Sequence, residues 1–185
     1  MRRSTCVLAT VIAIFGFSSA LAMADNIEGA RNGRIGCGGT LTAQSQLSIW
    51  DIRNFSDTTA IRIDRMRIFD ALGAVRFDSR SSGLPVSLNG VLGAGDDLLE
   101  PSQTVTYNTD SFQQQGIVVV GMPVPFQFVI DWSASEKVAP LAGSLTRISH
   151  SLSNVFDPNT GTTTSLRGPE LGRAIIACRD LPVLR

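Results

Sequence analysis

Phe126-Gln127-Phe128-Val129-Ile130-Asp131-Trp132 decides how the rest of this chain is read. Phe126, Phe128, Ile130 and Trp132 stand at strict period two, so they project from one face of an extended strand. Gln127 and Asp131 fall on the other face. A helix repeats its faces every 3.6 residues and would scatter the same side chains. The stretch predicts a strand with an aromatic inner face, and a sheet with such a face needs a second layer to cover it.

The flanking sequence continues the pattern. Leu47, Ile49 and a shifted Ile52 mark a strand ending near Asn54. Phe55 to Thr59 supplies a turn, because Ser and Asp bond their own backbone there. Ile61-Arg62-Ile63 and Met66-Arg67-Ile68 alternate within each half, while Asp64-Arg65 breaks the phase by one residue, as a bulge does. Asp70-Ala71-Leu72-Gly73 turns the chain and Val75-Arg76-Phe77 returns it as a hairpin. Val86-Ser87-Leu88 and Val91 flank Asn89-Gly90, a pair suited to the positive backbone angles of a tight hairpin. Gly93 to Asp97 reads as a loop. Thr104-Val105-Thr106-Tyr107 is β-branched and alternating. Val118 to Val120 suggests a further strand. Leu141 to Ser151 alternates more weakly, Asp157 to Gly161 is a turn, and Ala174 to Cys178 is an apolar run that closes the domain.

No stretch longer than about 11 residues keeps the helical period without Gly, Pro or a β-branched cluster. The prediction is therefore all-β: an antiparallel sandwich of about seven to nine strands at roughly ten-residue spacing. It occupies residues 37–185, preceded by a polar, flexible segment over 25–36, with no internal repeat.

A chain of 185 residues and 19.8 kDa is enough for one domain. Its hydrophobic share of 43% against 17% charged excludes a disordered chain. Sixteen basic side chains balance sixteen acidic ones, so no bulk charge points to nucleic acid.

Residues 1–24 read as a secretory signal peptide. Arg2 and Arg3 precede the uncharged run Val7 to Phe17, and small residues follow at Ala20, Ala22 and Ala24. Cleavage is expected after Ala24, with Ala22 as the alternative. The run is shorter than the ~20 residues that span a bilayer, and Cys6 precedes it, whereas a lipid-modified cysteine follows. Cleavage leaves 14 basic and 16 acidic side chains, a formal charge of −2. The expected destination is the periplasm or the extracellular space. There, Cys37 and Cys178 read most simply as one disulfide closing nearly the whole domain, two separate thiols being the alternative. Basic residues are 15 arginines and Lys137 alone, a skew typical of GC-rich bacterial genomes. In a bacterial product the sequon Asn54-Phe55-Ser56 is coincidental.

The segment Leu47 to Phe77, with Arg53-Asn54, the bulged Ile61 to Phe69 and the turn from Asp70 to Gly73, resembles uncharacterised exported bacterial single-domain immunoglobulin-like proteins. Leu99-Glu100-Pro101 before Thr104-Val105, and a later aromatic strand ending in Trp132, are similar too. The likeness covers about a third of the chain by spaced positions; Gly83 to Asp97 and the Arg-rich C-terminus depart from it. It implies a sandwich fold and export, and no activity.

Chemistry-bearing residues are sparse. His150 is the sole histidine, so a nucleophile–base pair has one candidate base and no partner in view. Asp157-x-Asn159-x-Gly161 begins like a calcium loop, but Gly168 stands where the twelfth-position glutamate belongs. Asp96, Asp97 and Glu100 offer carboxylates in a Gly-rich loop without a defined cleft. Gly90-x-x-Gly93-x-Gly95 lacks the order and the following helix of a phosphate loop. No cofactor and no metal are expected.

Arg53, Arg62 and Arg67, with Arg65 and Arg76 nearby, form a basic stripe if they share a sheet face, one that would grip a carboxylate ligand, a polyanionic glycan or a protein. The alternative is that they alternate with core residues and pair with Asp51, Asp64, Asp70 and Asp78. Trp50 and Trp132 line either a pocket or the core. The apolar loop Gly121 to Pro125, with Met122 and Val124, is a candidate partner contact. The leading expectation is a non-catalytic exported sandwich that binds or scaffolds an envelope or extracellular partner through loops or an added strand. A small-ligand carrier with a pocket between the sheets and a carboxylate hydrolase are the alternatives.

Overall fold

The computed structural model describes residues 29–40, 45–118 and 125–182, with the backbone alone at 39 and 40. The expected signal peptide at 1–24 and residues 25–28 lie outside it. Among the described residues ten strands and two short helices succeed one another: β1 Ala30–Thr40, β2 Gln46–Arg53, β3 Ile61–Phe69, β4 Val75–Asp78, α1 Ser79–Ser82, β5 Leu98–Leu99, β6 Thr104–Asn108, α2 Thr109–Gln114, β7 Phe126–Val138, β8 Ala142–Asp157, β9 Thr162–Ala177 and β10 Arg179–Leu181. They form two antiparallel sheets. One runs β10-β1-β7-β3-β4 with β5 added to β3, and the other runs β6-β2-β8-β9. The all-β, two-sheet architecture is the expected one. The strand count exceeds seven to nine because β5 and β10, of two and three residues, are too short to show a period.

β7 is the axis of the larger sheet. It pairs with β1 on one side and β3 on the other, and Phe126, Phe128, Ile130 and Trp132 are all buried. The register between β3 and β7 shifts between Ile63 and Arg65, where the phase break predicts the bulge. Facing β7, Trp50 and Ile52 of β2, Val105 and Tyr107 of β6 and Leu145 of β8 complete the core. The Trp50 ring lies 5.3 Å from Phe112 and 5.5 Å from Phe128, and Tyr107 lies 5.4 Å from Phe112. Such pairs add about 0.5–1.5 kcal/mol each beyond the area they bury. The rings fill the space between the sheets, and both tryptophans are core residues.

Three elements depart from expectation. Residues 30–36, expected as part of a flexible lead-in, belong to β1, where Arg34, Ile35 and Gly36 pair with β7 and β10 at once. The glycines that suggested looseness serve close packing. A Cβ at Gly33 would stand 2.6 Å from the Trp132 ring, so that ring lies across the bare backbone. Second, α2 follows β6 directly. Asn108 accepts the Ser111 N–H at 2.7 Å as its cap, and the short helix buries Phe112. Six residues are too few to register as a helical period. Third, Asn89-Gly90 turns as expected, with Gly90 at φ 68°, but its flanks are not paired strands. Ser87 closes a compact loop instead: its N–H donates to the Leu92 carbonyl at 2.9 Å, and its Oγ accepts the Leu92 N–H at 3.0 Å. Val118 follows α2 and is buried; residues 119–120 of the strand expected there lie outside the described residues.

Candidate functional site

The least covered part of the fold is the β8–β9 hairpin. Its tip is the expected turn: the Asp157 carboxylate accepts the Asn159 N–H at 2.8 Å, and Gly161, at φ 67°, donates to the Asp157 carbonyl at 2.9 Å. The Asn159 bond holds the Asp157 carboxyl below its usual range. From this tip two 16-residue strands return to the body. β2 accompanies β8 only from Ala142 to Ser149. Beyond Ser149, β8 and β9 share strand register only with each other among the described residues, after register shifts around His150. The His150 N–H still donates to the Ser45 carbonyl at 2.7 Å, and Arg167 bonds Asp110 and the Gln46 carbonyl.

Leu152, Val155, Phe156 and Leu166 of this arm are all exposed, Phe156 at 61%. Closer to the body, Leu171 is 72%, Ile175 70% and Ile176 40% exposed. Single apolar surface residues are ordinary; here seven lie along one hairpin, distributed over both of its faces. The run Ala174 to Cys178, expected as the apolar run that closes the domain, lies largely at the surface. The reason is positional: β9 is the outermost strand of its sheet and pairs with β8 alone among the described residues. Its free edge presents a row of unpaired backbone N–H and C=O groups. Pro169 and the irregular register near it interrupt that row and leave a regular segment from Gly172 to Ala177.

The body end of this edge is anchored. The chain passes from β9 in one sheet to β10 in the other through Cys178, which is disulfide-bonded to Cys37 of β1 with the Cα atoms 4.5 Å apart. Cys178 also donates its N–H to the Gly143 carbonyl at 2.8 Å.

Among the described residues, two buried polar atoms of β8 beside this edge strand lack a hydrogen-bond partner, Arg147 Nε and His150 Nε2. Backbone register aligns Ser48, Arg147 and Ala174 across β2, β8 and β9, and the next row aligns Trp50, Leu145 and Ile176. Both rows face the core side of the sheet, as the complete burial of Trp50 requires. The Arg147 Nε is buried without a hydrogen-bond partner, and no carboxylate among the described residues pairs with that side chain.

The arginines expected as a stripe are not one surface. Arg53 belongs to β2 of the smaller sheet, whereas Arg62 and Arg67 belong to β3 of the larger. Arg53 stacks on Phe55 at 4.8 Å, and Arg62 stands 3.7 Å from Asp97. Arg67 donates to Asp131 at 3.0 Å, and Arg34 shares that carboxylate. Arg65 bonds Asp78 and Arg76 bonds Asp70. The other two expected acids have neutral partners: Asp51 accepts from Thr106 and Asp64 from Ser133. The expected bulge at Asp64-Arg65 restores the alternation, so that Met66 and Ile68 are buried like Ile61 and Ile63 while Arg62 and Arg67 stand between core residues. The Arg65 hydrogen bond holds the Asp78 carboxyl down at about 2. At Asp70 burial pushes the carboxyl up, but the Ala74 N–H, Arg76 and the Leu72 N–H together outweigh it and the result is a lowered value. Met122 and Val124 lie outside the described residues.

His150 holds the arm's irregular register, with Nδ1 donating to the Gly168 carbonyl at 3.1 Å. Asp96 accepts the Leu98 N–H at 3.3 Å and closes its own loop. An open groove of about 770 Å³ beside β3 and β7 is lined by Thr58, Arg62, Asp64, Ser133 and Glu136, and not by Asp96, Asp97 or Glu100. No cluster of three or more His, Cys, Asp or Glu able to hold a metal ion occurs among the described residues. No helix among them is long and apolar enough to cross a membrane. The arm escaped the sequence reading although Thr162-Thr163-Thr164 beyond the turn is a β-branched signal for a long returning strand. No protein-family model, curated protein or solved structure matches this chain.

Proposed function

We propose that this protein is a non-catalytic immunoglobulin-like sandwich, exported through a cleaved N-terminal signal, that binds a protein of the cell envelope or its exterior. The binding surface is the β8–β9 arm together with the free edge of β9. One observation carries the reading: among the described residues a 16-residue strand is paired on one side only while exposing Leu166, Leu171, Ile175 and Ile176. An edge of this length is an association hazard unless a partner uses it, and strand addition is the common way such an edge is used. The disulfide supports export, since such bonds persist in oxidising compartments.

A small-ligand carrier draws no support from the interior, which aromatic rings occupy. A carboxylate hydrolase draws none from Asp97, which faces Arg62, or from Asp96, which serves its loop.

The test is mild crosslinking in the native envelope followed by mass spectrometry, against an unrelated exported control. The expected result is one reproducible protein partner, lost in a folded variant carrying Phe156→Ser, Leu166→Ser and Ile175→Ser. Capture unchanged by those substitutions, or no protein enriched at all, overturns the reading.

A further inference from the structure

We infer that the body half of the β9 edge, Gly172–Ala177, accepts a partner strand that sets a carboxylate side chain beside Ala174 and an aliphatic one beside Ile176. The inference rests on the proposed strand-binding function and adds the chemistry by which the partner is recognised.

The rows of the sheet supply the argument. An added strand would lie about 4.8 Å beyond β9 and continue each cross-strand row by one residue. The row Trp50, Leu145, Ile176 is buried until its last member, where exposure rises from 0% and 1% to 40%. A flanking aliphatic side chain would cover Ile176 as Leu145 is covered by Trp50.

The row Ser48, Arg147, Ala174 ends differently. Arg147 is a guanidinium whose Nε is removed from water and unpaired. Such a group is costly unless an acceptor, best a carboxylate, meets it. Between Arg147 and the free edge stands only the methyl of Ala174. A long arginine stem passes over so small a neighbour, and an Asp or Glu at the next position of the row meets it from the other side. At Gly172 the added side chain has room, since nothing lies within 4 Å of where a Cβ would stand. The site is bounded by the irregular register near Pro169 at one end and by the disulfide-held Cys178 at the other, so about six residues of partner engage it.

The test uses the full mature protein and two fluorescent seven-residue peptides, Thr-Thr-Glu-Thr-Val-Thr-Thr and its reversal Thr-Thr-Val-Thr-Glu-Thr-Thr, which cover parallel and antiparallel addition. Each has a counterpart with Lys for Glu. Anisotropy reads affinity and amide hydrogen exchange reads protection of 172–177. The expected result is that one Glu peptide binds at least tenfold tighter than its Lys counterpart and slows exchange over 172–177. Arg147→Glu inverts that preference, and Arg147→Gln, which keeps most of the side-chain bulk, abolishes it should the reversal fail to fold.

Equal protection of 172–177 by Glu and Lys peptides overturns the carboxylate recognition and leaves the strand-binding function standing. Protection by neither peptide, with the envelope partner still captured equally by wild type and by Arg147→Gln, does the same. Failure of partner capture itself overturns the underlying function. A concentration-dependent doubling of mass in light scattering that protects 172–177 overturns the inference by filling the edge with a second copy.

Discussion

Cys37 and Cys178 stand 141 positions apart in the chain and are bonded where it leaves β9 for β10, with their Cα atoms 4.5 Å apart. The bond joins the first described strand to the last crossover and so ties the two sheets together at one margin. By chain entropy a closed loop of this length contributes about 5 kcal/mol, chiefly by restricting the unfolded state. That is comparable to the whole stability of many domains. The double variant Cys37→Ser/Cys178→Ser is expected to shift the urea midpoint far down or to unfold at ambient temperature. Alkylation of the wild type is expected only after reduction; two thiols reactive without reductant would refute the bond.

Gly143 lies under this crossover. A Cβ there would stand 2.8 Å from Ile52 Cδ1, 2.9 Å from Ile35 Cδ1 and 3.0 Å from Cys178 Sγ, three groups fixed by the core. Gly143→Ala is expected to destabilise by about 1–3 kcal/mol through overpacking. Gly172→Ala, one strand away with open space around it, is the control and should cost little. Urea unfolding of the pair checks this; equal midpoints for the two variants would mean the crossover is looser than described.

Acid should release the Arg65–Asp78 pair. The hydrogen bond from Arg65 depresses the Asp78 carboxyl from 3.8 to about 2 in the folded protein. A depressed folded value stabilises the fold above the unfolded value and loses that stabilisation as pH falls through the folded one. Asp78→Asn is therefore expected to be less stable than wild type at pH 5, with the gap closing between about pH 4 and 2. Unfolding curves of both proteins across that range measure it, and a constant gap would assign the loss to the α1 cap, which Asp78 also provides.

Substitutions on the arm should separate binding from folding. Leu152, Phe156 and Leu166 are exposed and lie past the strand register that β2 shares with β8, although their neighbour Arg167 bonds Asp110 and the Gln46 carbonyl. Their replacement by Ser is expected to change stability by less than about 0.5 kcal/mol each. The same changes should lower non-specific association in light scattering. A large loss of stability would show instead that the arm packs on something the isolated chain itself provides.

The two-layer β architecture was legible because period-two alternation is a local property. Phe126 to Trp132 commit one face to burial whatever lies opposite, and the bulge at Asp64-Arg65 is one residue out of phase in the sequence as in the sheet. Pairing of Cys37 with Cys178 followed from their being the two cysteines left after the expected signal. Neighbourhood was not legible. Arg53 and Arg62 look alike along the chain, yet they occupy different sheets, and Arg67 finds Asp131 from a strand 64 positions later. Ala174 to Ala177 looks like core, because hydrophobic composition does not reveal whether a strand is central or outermost. That distinction arises only from strand order: β2 has neighbours on both sides, β9 has one, and the unpaired edge beside Arg147 exists because nothing in the described chain lies beyond it.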